Sequence, residues 1–99
     1  MRVESHPKYV EMRKLIAIVA GQYDVSDVAV MGRTDSWVKF VGIYLVKQHF
    51  TITDVQLSQL FNIGVDYMLH KLAVLGPHFG VSDKERAEVL KVPLAIYNN

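Results

Sequence analysis

The 99-residue chain contains no cysteine and few prolines. The absence of cysteine excludes a disulfide framework and cysteine-based metal sites, and it is compatible with a reducing cytosol, so we expect a cytoplasmic protein. The longest apolar runs are about four to six residues, too short to span a membrane. The opening residues MRVESHPKY contain no apolar core and do not resemble a signal peptide. No membrane partner is therefore expected.

The sequence also lacks the motifs of common enzymes and cofactor sites. Its four histidines show no i,i+3 or i,i+4 pair of the kind that binds zinc on a helix. It has no glycine-rich phosphate loop after a strand and no nucleophile motif. We therefore expect no catalytic residue, no metal, no cofactor and no small-molecule substrate.

The chain also has little excess of positive over negative charge. The formal net charge is +1, whereas a nucleic-acid-binding domain is usually clearly basic. Only a local basic patch is therefore compatible with DNA binding. The length and the hydrophobic content of 51% suffice for one core, so we predict a single domain over residues 1–99.

What the chain does contain is helical periodicity, and no strand pattern competes with it. A first helix is predicted over residues 7–20, with Pro7 at its first position and a solvated surface that includes Lys8 and Lys14. A short helix is predicted between Asp24 and Gly32, with Ser26 or Asp24 as its cap, and Ser82-x-x-Glu85 predicts a final helix over 83–91. The fold class expected is an all-α bundle of about five to six helices.

The segment from Trp37 to about His49 predicts the central helix. It reads WVKFVGIYLVKQH and is apolar on nearly all sides, which indicates burial. Asp35 or Ser36 is expected to cap it. Gly42 costs about 1 kcal/mol relative to alanine inside a helix, so we expect it to permit the close approach of a neighbouring helix.

The stretch Thr51–Leu75 predicts two helices joined by a tight turn. Thr53-x-x-Gln56 is a capping box, Asn62-Ile63-Gly64 is a turn, and Gly76-Pro77 is expected to end the second helix. A short helix, a tight turn and a longer helix over about 53–75 form a helix-turn-helix arrangement. An ordinary helical hairpin produces a similar pattern.

Three stretches together resemble a known family over about residues 9–75. LIAIVAGQYDVSDVAV, MGRTDSWVKFVGIYLVKQHF and TDVQLSQLF are similar to the C-terminal, origin-binding domain of the bacterial replication initiator DnaA. The resemblance implies a compact, Trp-repressor-like helical domain that binds double-stranded DNA. It also implies that Arg33 reaches the minor groove, that Lys39 lies near phosphates, and that the second helix of the motif reads the major groove.

The sequence departs from this family at the start of the second helix. The family has G-G-R-D-H-(T/S)-T-V where this chain has NIGVDYML, so the groups that would donate to phosphates and base edges have no clear counterparts. Outward positions at the start of a recognition helix face the groove. The candidate DNA-binding residues are therefore Arg33, Lys39, Thr53, Tyr67, His70 and Lys71.

Two functions remain open on this basis. The first is a small DNA-binding protein that regulates transcription or replication by occupying duplex sites. The second is a degenerate helix-turn-helix domain that binds a protein partner and not DNA, which the low net charge and an apolar second helix favour. A homodimer formed through residues 83–91 and the tail LAIYNN is a further possibility.

Overall fold

The computed structural model describes residues 2–32 and 36–79, which form five α-helices and contain no β-strand. Short 3-10 helices lie at either end, at Val3–Ser5 and Gly76–Phe79. The α-helices are α1 (Tyr9–Gln22), α2 (Asp27–Met31), α3 (Trp37–His49), α4 (Asp54–Leu60) and α5 (Val65–Leu75). The predicted all-α bundle of about five to six helices is confirmed, with five α-helices in the described residues. The helix predicted over 83–91 lies outside the described residues.

Side chains cap the starts of three helices at positions where the sequence predicted a cap. Ser26 and Ser36 each accept a hydrogen bond from the backbone N–H three residues later, at 3.1 and 3.2 Å. At α4 the capping box is complete. The Thr53 hydroxyl accepts from the Gln56 N–H at 3.1 Å, and the Gln56 side chain accepts from the Thr53 N–H at 3.4 Å. These bonds satisfy N–H groups that the helices themselves leave unpaired.

The two ends of the described chain differ from the prediction. The first helix begins at Tyr9, not at Pro7, because the chain first forms the 3-10 turn Val3–Ser5. At the other end, α5 ends at Leu75, as Gly76-Pro77 predicts, but helical structure does not stop there. Gly76 has right-handed helical angles (φ −47°, ψ −48°), and the chain continues as 3-10 helix. Proline is tolerated in the first turn of a helix because the N–H it lacks would be unpaired there.

Helix α3 forms the centre of the core, as its sequence predicts. Seven of its residues are buried, and it packs against α1, α2 and α4. Phe79 is fully buried after α5, with its ring centroid 5.2 Å from that of Trp37 and 4.5 Å from that of Tyr44. The chain that leaves α5 is therefore attached to α3 by an aromatic cluster.

Gly42 allows α3 to approach the end of α4 closely. A Cβ atom at this position would lie 2.9 Å from Cε1 and 3.3 Å from Cζ of Phe61, a ring that is itself fully buried. Separations this short are below van der Waals contact, and a close-packed core has little room to relax. The expected role of Gly42 as a contact point between helices is therefore confirmed.

We predict that Gly42→Ala destabilises the protein by about 1–2 kcal/mol, because overpacking outweighs the gain in helix propensity. Chemical denaturation followed by circular dichroism would measure the change in the free energy of unfolding. Gly21→Ala in α1 is the matched control, since an added Cβ there meets nothing within 4 Å. The control should be stabilised by about 0.5–1 kcal/mol. Equal stabilisation of both variants would contradict the proposed contact.

Lys39 is a charged residue inside this core, only 1% exposed. Its ammonium group donates hydrogen bonds to the carbonyl oxygen of Gly32, at the end of α2, and to that of Phe61, at the end of α4, the latter at 2.6 Å. Carbonyls at helix C-termini lack helical partners and carry partial negative charge, so a cation is favourable there. One side chain on α3 thus joins the ends of two other helices.

We predict that Lys39→Met destabilises the protein by roughly 3 kcal/mol, because each buried carbonyl left without a donor costs about 1–3 kcal/mol. Denaturant unfolding would measure the loss. Lys47→Met is the matched control, since Lys47 is about half exposed and pairs with Asp54 at 3.5 Å. Loss of this exposed ion pair should lower the free energy of unfolding by less than about 1 kcal/mol. A Lys39 variant as stable as this control would show that the buried ammonium does not hold the helix ends.

Candidate nucleic-acid interface

Helices α4 and α5 are joined by a tight turn whose geometry depends on Asn62. This residue has φ +52°, in the left-handed region, whereas Gly64 is extended at φ −66°. The Ile63 N–H donates to the Ser58 carbonyl at 3.1 Å, and the Asn62 N–H donates to the Gln59 carbonyl at 3.3 Å. This pair of bonds is a Schellman motif. The turn expected at Asn62-Ile63-Gly64 is present, and asparagine supplies its left-handed residue.

Helix α5 has an inner and an outer side. On the inner side Met68 is fully buried, and four further apolar residues are half-buried and pack against the core. These four are Val65, Leu69, Leu72 and Leu75. The exposed residues of the helix are Asp66, Tyr67, His70, Ala73 and Val74. At 100° per residue these five fall on one contiguous face, which we call the outer face of α5.

Two predicted DNA-binding residues, Tyr67 and His70, lie on this outer face. Both are exposed, Tyr67 to 46%. A phenol can donate to a phosphate or pack against a thymine methyl group, and an imidazole can hydrogen-bond to a phosphate or a base edge. Their spacing of three residues places them about one turn apart on the helix. The structure thus brings these two candidates together.

Lys71 lies at the border of the outer face and is half-buried. Its Nζ atom is 5.8 Å from the ring centroid of Phe40, a cation–π distance. With Ser36, Trp37 and Leu75, these two residues line a shallow cavity of about 250 Å³ between α3 and α5. The ammonium is held beside the N-terminal half of α3.

Thr53 occupies the exposed N-terminus of α4, so it belongs to a different helix end from the α5 candidates. Its hydroxyl oxygen already accepts the hydrogen bond that caps the helix. The hydroxyl hydrogen can still be donated to a phosphate. The neighbouring Asp54 carboxylate pairs with Lys47, which reduces the repulsion that a phosphate would meet there.

The expectation that Lys39 lies near phosphates is wrong. Its ammonium group is buried among the ends of α2 and α4 and cannot reach a ligand in solvent. The sequence does indicate burial of Lys39, because a lysine within a helix that is apolar on nearly all sides has little access to water. Arg33, the other basic residue implied by the resemblance, lies outside the described residues.

The electrostatics of the outer face are close to neutral. Asp66 lies in the first turn of α5, where its negative charge favours the helix but repels phosphate. Lys71 supplies one positive charge at the border. The N-cap residue Gly64 has no side chain to occupy the first backbone N–H groups of α5, and those groups can donate to an anion.

Two residues away from α5, Arg13 and Tyr23, have raised pKa values. A hydrogen bond from Arg13 to the Tyr9 hydroxyl, at 3.0 Å, raises the pKa of Arg13, and the Asp27 carboxylate at 3.4 Å acts in the same direction. Burial raises the pKa of Tyr23, although its hydroxyl accepts a hydrogen bond from Trp37 Nε1 at 3.0 Å. Near pH 7 these groups stay a cation and a neutral phenol.

The described segments were also compared with the requirements of a metal site and of a membrane-spanning helix. Within 2–32 and 36–79 there is no group of three or more histidine, aspartate or glutamate residues placed to hold a metal ion. No helix in the same segments has the length and apolar character needed to cross a membrane. Comparisons with protein-family models, with curated proteins and with solved structures each found no match to this chain.

Proposed function

We propose that this protein binds double-stranded DNA through the outer face of α5, with α4 and the turn at Asn62 positioning that helix. The observation that carries the proposal is the division of α5 into two sides. Met68 anchors the helix in the core, while Tyr67 and His70 project from its N-terminal half into solvent. A helix that reads the major groove presents its N-terminal outward residues in this way.

The resemblance to the DnaA C-terminal domain supports this proposal. It implied a compact helical domain in which the second helix of a two-helix motif reads DNA, and the described residues form an all-α bundle in which α4 and α5 are joined by a tight turn. On this basis the α4–α5 pair is a helix-turn-helix within a Trp-repressor-like fold. Regulation of transcription or replication in a bacterial cytoplasm is the role that the resemblance implies.

Each candidate residue would have a separate task at the duplex. Tyr67 and His70 would contact base edges or phosphates in the groove. Lys71 would meet a phosphate beside it, and Thr53 would donate to the backbone from the start of α4. With Lys39 buried, few cations of the described chain face the duplex. The affinity would therefore depend less steeply on salt than that of a strongly basic domain.

A second candidate function is binding of a protein partner through the same outer face. Two observations favour it: Val74 is 52% exposed on the same helix face as the exposed Tyr67, and Asp66 adds a negative charge where DNA would require a positive one. Exposed apolar side chains clustered on one helix face are typical of protein-binding surfaces. In this role the domain would bind a protein partner and would not bind DNA.

A titration of mixed-sequence duplex DNA at about 50 and 200 mM salt tests the first function. Fluorescence anisotropy should show binding at the lower salt concentration that weakens at the higher one. Lys71→Ala should reduce the slope of log affinity against log salt by about one, because one phosphate contact is lost. A Tyr67→Ala, His70→Ala double variant should weaken binding at both salt concentrations.

Arg2→Ala is the control for charge removal, since Arg2 has an 84% exposed side chain and pairs with Glu4 at the N-terminus. It should leave the salt slope unchanged. Circular dichroism would establish that each variant is folded. An absence of binding at low salt, or a slope that Lys71→Ala does not alter, would reject DNA binding through this face and leave the protein-binding function.

A further inference from the structure

A second surface lies on a different part of the molecule from α5. An open groove of about 700 Å³ runs between α1 and the chain that connects α3 to α4. Leu15, Ile18 and Phe50 contribute its apolar surface, and Lys8, Glu11 and Lys14 contribute its charged groups. From the sequence alone, Lys8 and Lys14 are expected only to form part of a solvated helix surface. The groove is visible only when distant segments are brought together.

The groove residues of α1 form one stripe together with Lys8, the N-cap residue of that helix. Lys8, Glu11, Leu15 and Ile18 follow steps of three or four residues, with Lys14 alongside, so they share a face. At 1.5 Å per residue the stripe is about 15 Å long. Ile18 is 43% exposed at its far end. These dimensions match about ten residues of a helix laid along α1.

The charges along this stripe are unbalanced. The ion pairs of the described chain join Arg2 to Glu4, Arg13 to Asp27 and Lys47 to Asp54. Lys8 and Lys14 take part in none of these pairs, and Glu11 is one carboxylate against two ammonium groups. Beside the apolar surface of Leu15, Ile18 and Phe50, these three groups leave an excess of one positive charge, which is complementary to a ligand that is apolar on one side and acidic along its edges.

A hydrogen-bonded histidine fixes the wall of the groove near Lys8. His6 Nδ1 accepts a hydrogen bond from the Lys8 N–H at 3.0 Å, so its Nε2 carries the hydrogen and donates to the Thr51 carbonyl at 2.7 Å. The imidazole therefore joins the chain before α1 to the chain before α4. A wall held in place from both sides lowers the entropic cost of binding.

We propose that this groove binds an acidic amphipathic helix of a partner protein. A concave channel with an apolar floor fits a rod that carries apolar residues at i, i+3/i+4 and i+7. A flat membrane surface would not enter the channel, and duplex DNA offers no apolar face for its floor. The surface is separate from α5, so it would allow the domain to hold a protein partner whether or not α5 binds DNA.

The probe is a synthetic 15-residue helical peptide with one leucine stripe bordered on both sides by glutamates. Wild-type protein should bind it in the micromolar range by fluorescence anisotropy, and nuclear magnetic resonance shifts should concentrate at Leu15, Ile18 and Phe50. The Lys8→Glu, Lys14→Glu variant should bind it about tenfold more weakly or worse, because attraction becomes repulsion. That variant should instead bind a peptide in which lysines replace the glutamates.

Ile18→Asp should also weaken binding of the acidic peptide, since it places a carboxylate on the apolar floor of the groove. Val28→Asp on α2 is its matched control, because Val28 is a 69% exposed apolar residue outside the groove, and it should bind as wild type does. The proposal is overturned if the peptide does not bind, if the shifts map to α5, or if the lysine peptide binds wild type equally well. Lys8- and Lys14-dependent binding to anionic lipid vesicles in place of the peptide would also overturn it.

Discussion

The buried ammonium of Lys39 is the interaction on which the arrangement of the helices depends. Its hydrogen bonds to Gly32 and Phe61 join the ends of α2 and α4 through a residue of α3. A buried charge is costly unless nearby groups replace its hydration. Two helix C-termini provide that replacement, because their last carbonyls need donors as much as the ammonium needs acceptors. The turn before α5 is therefore positioned by charge as well as by the packing of Phe61 against Gly42.

Local chemistry made much of the fold predictable. Ser26, Ser36 and Thr53 mark the starts of helices because a side-chain oxygen satisfies an N–H group within a few residues, and no tertiary information is needed. The ends were less predictable. Pro7 and the Gly76–Phe79 segment are compatible with more than one tight turn, and the choice depends on distant packing, such as that of Phe79 against Trp37.

In the candidate sites, too, features set by local sequence were predictable and features set by tertiary packing were not. The outer face of α5 follows from helical periodicity, so Tyr67 and His70 could be placed outward from sequence alone. The role of Lys39 could not be assigned from the family resemblance, because a matching position does not reveal whether a side chain reaches solvent. The groove beside α1 was missed because its floor combines Leu15 with Phe50, which are far apart in the chain. Such a surface exists only after folding.

The anchoring of α5 at both ends has a mechanical consequence. The Schellman turn at Asn62 holds its beginning, and the burial of Phe79 between Trp37 and Tyr44 holds the chain that follows it. We expect a helix held at both ends to resist tilting or sliding when a ligand fits it poorly. Any ligand of the outer face must therefore supply the adjustment itself, whether by bending or by side-chain rearrangement. Discrimination between ligands would then follow from how easily each one deforms.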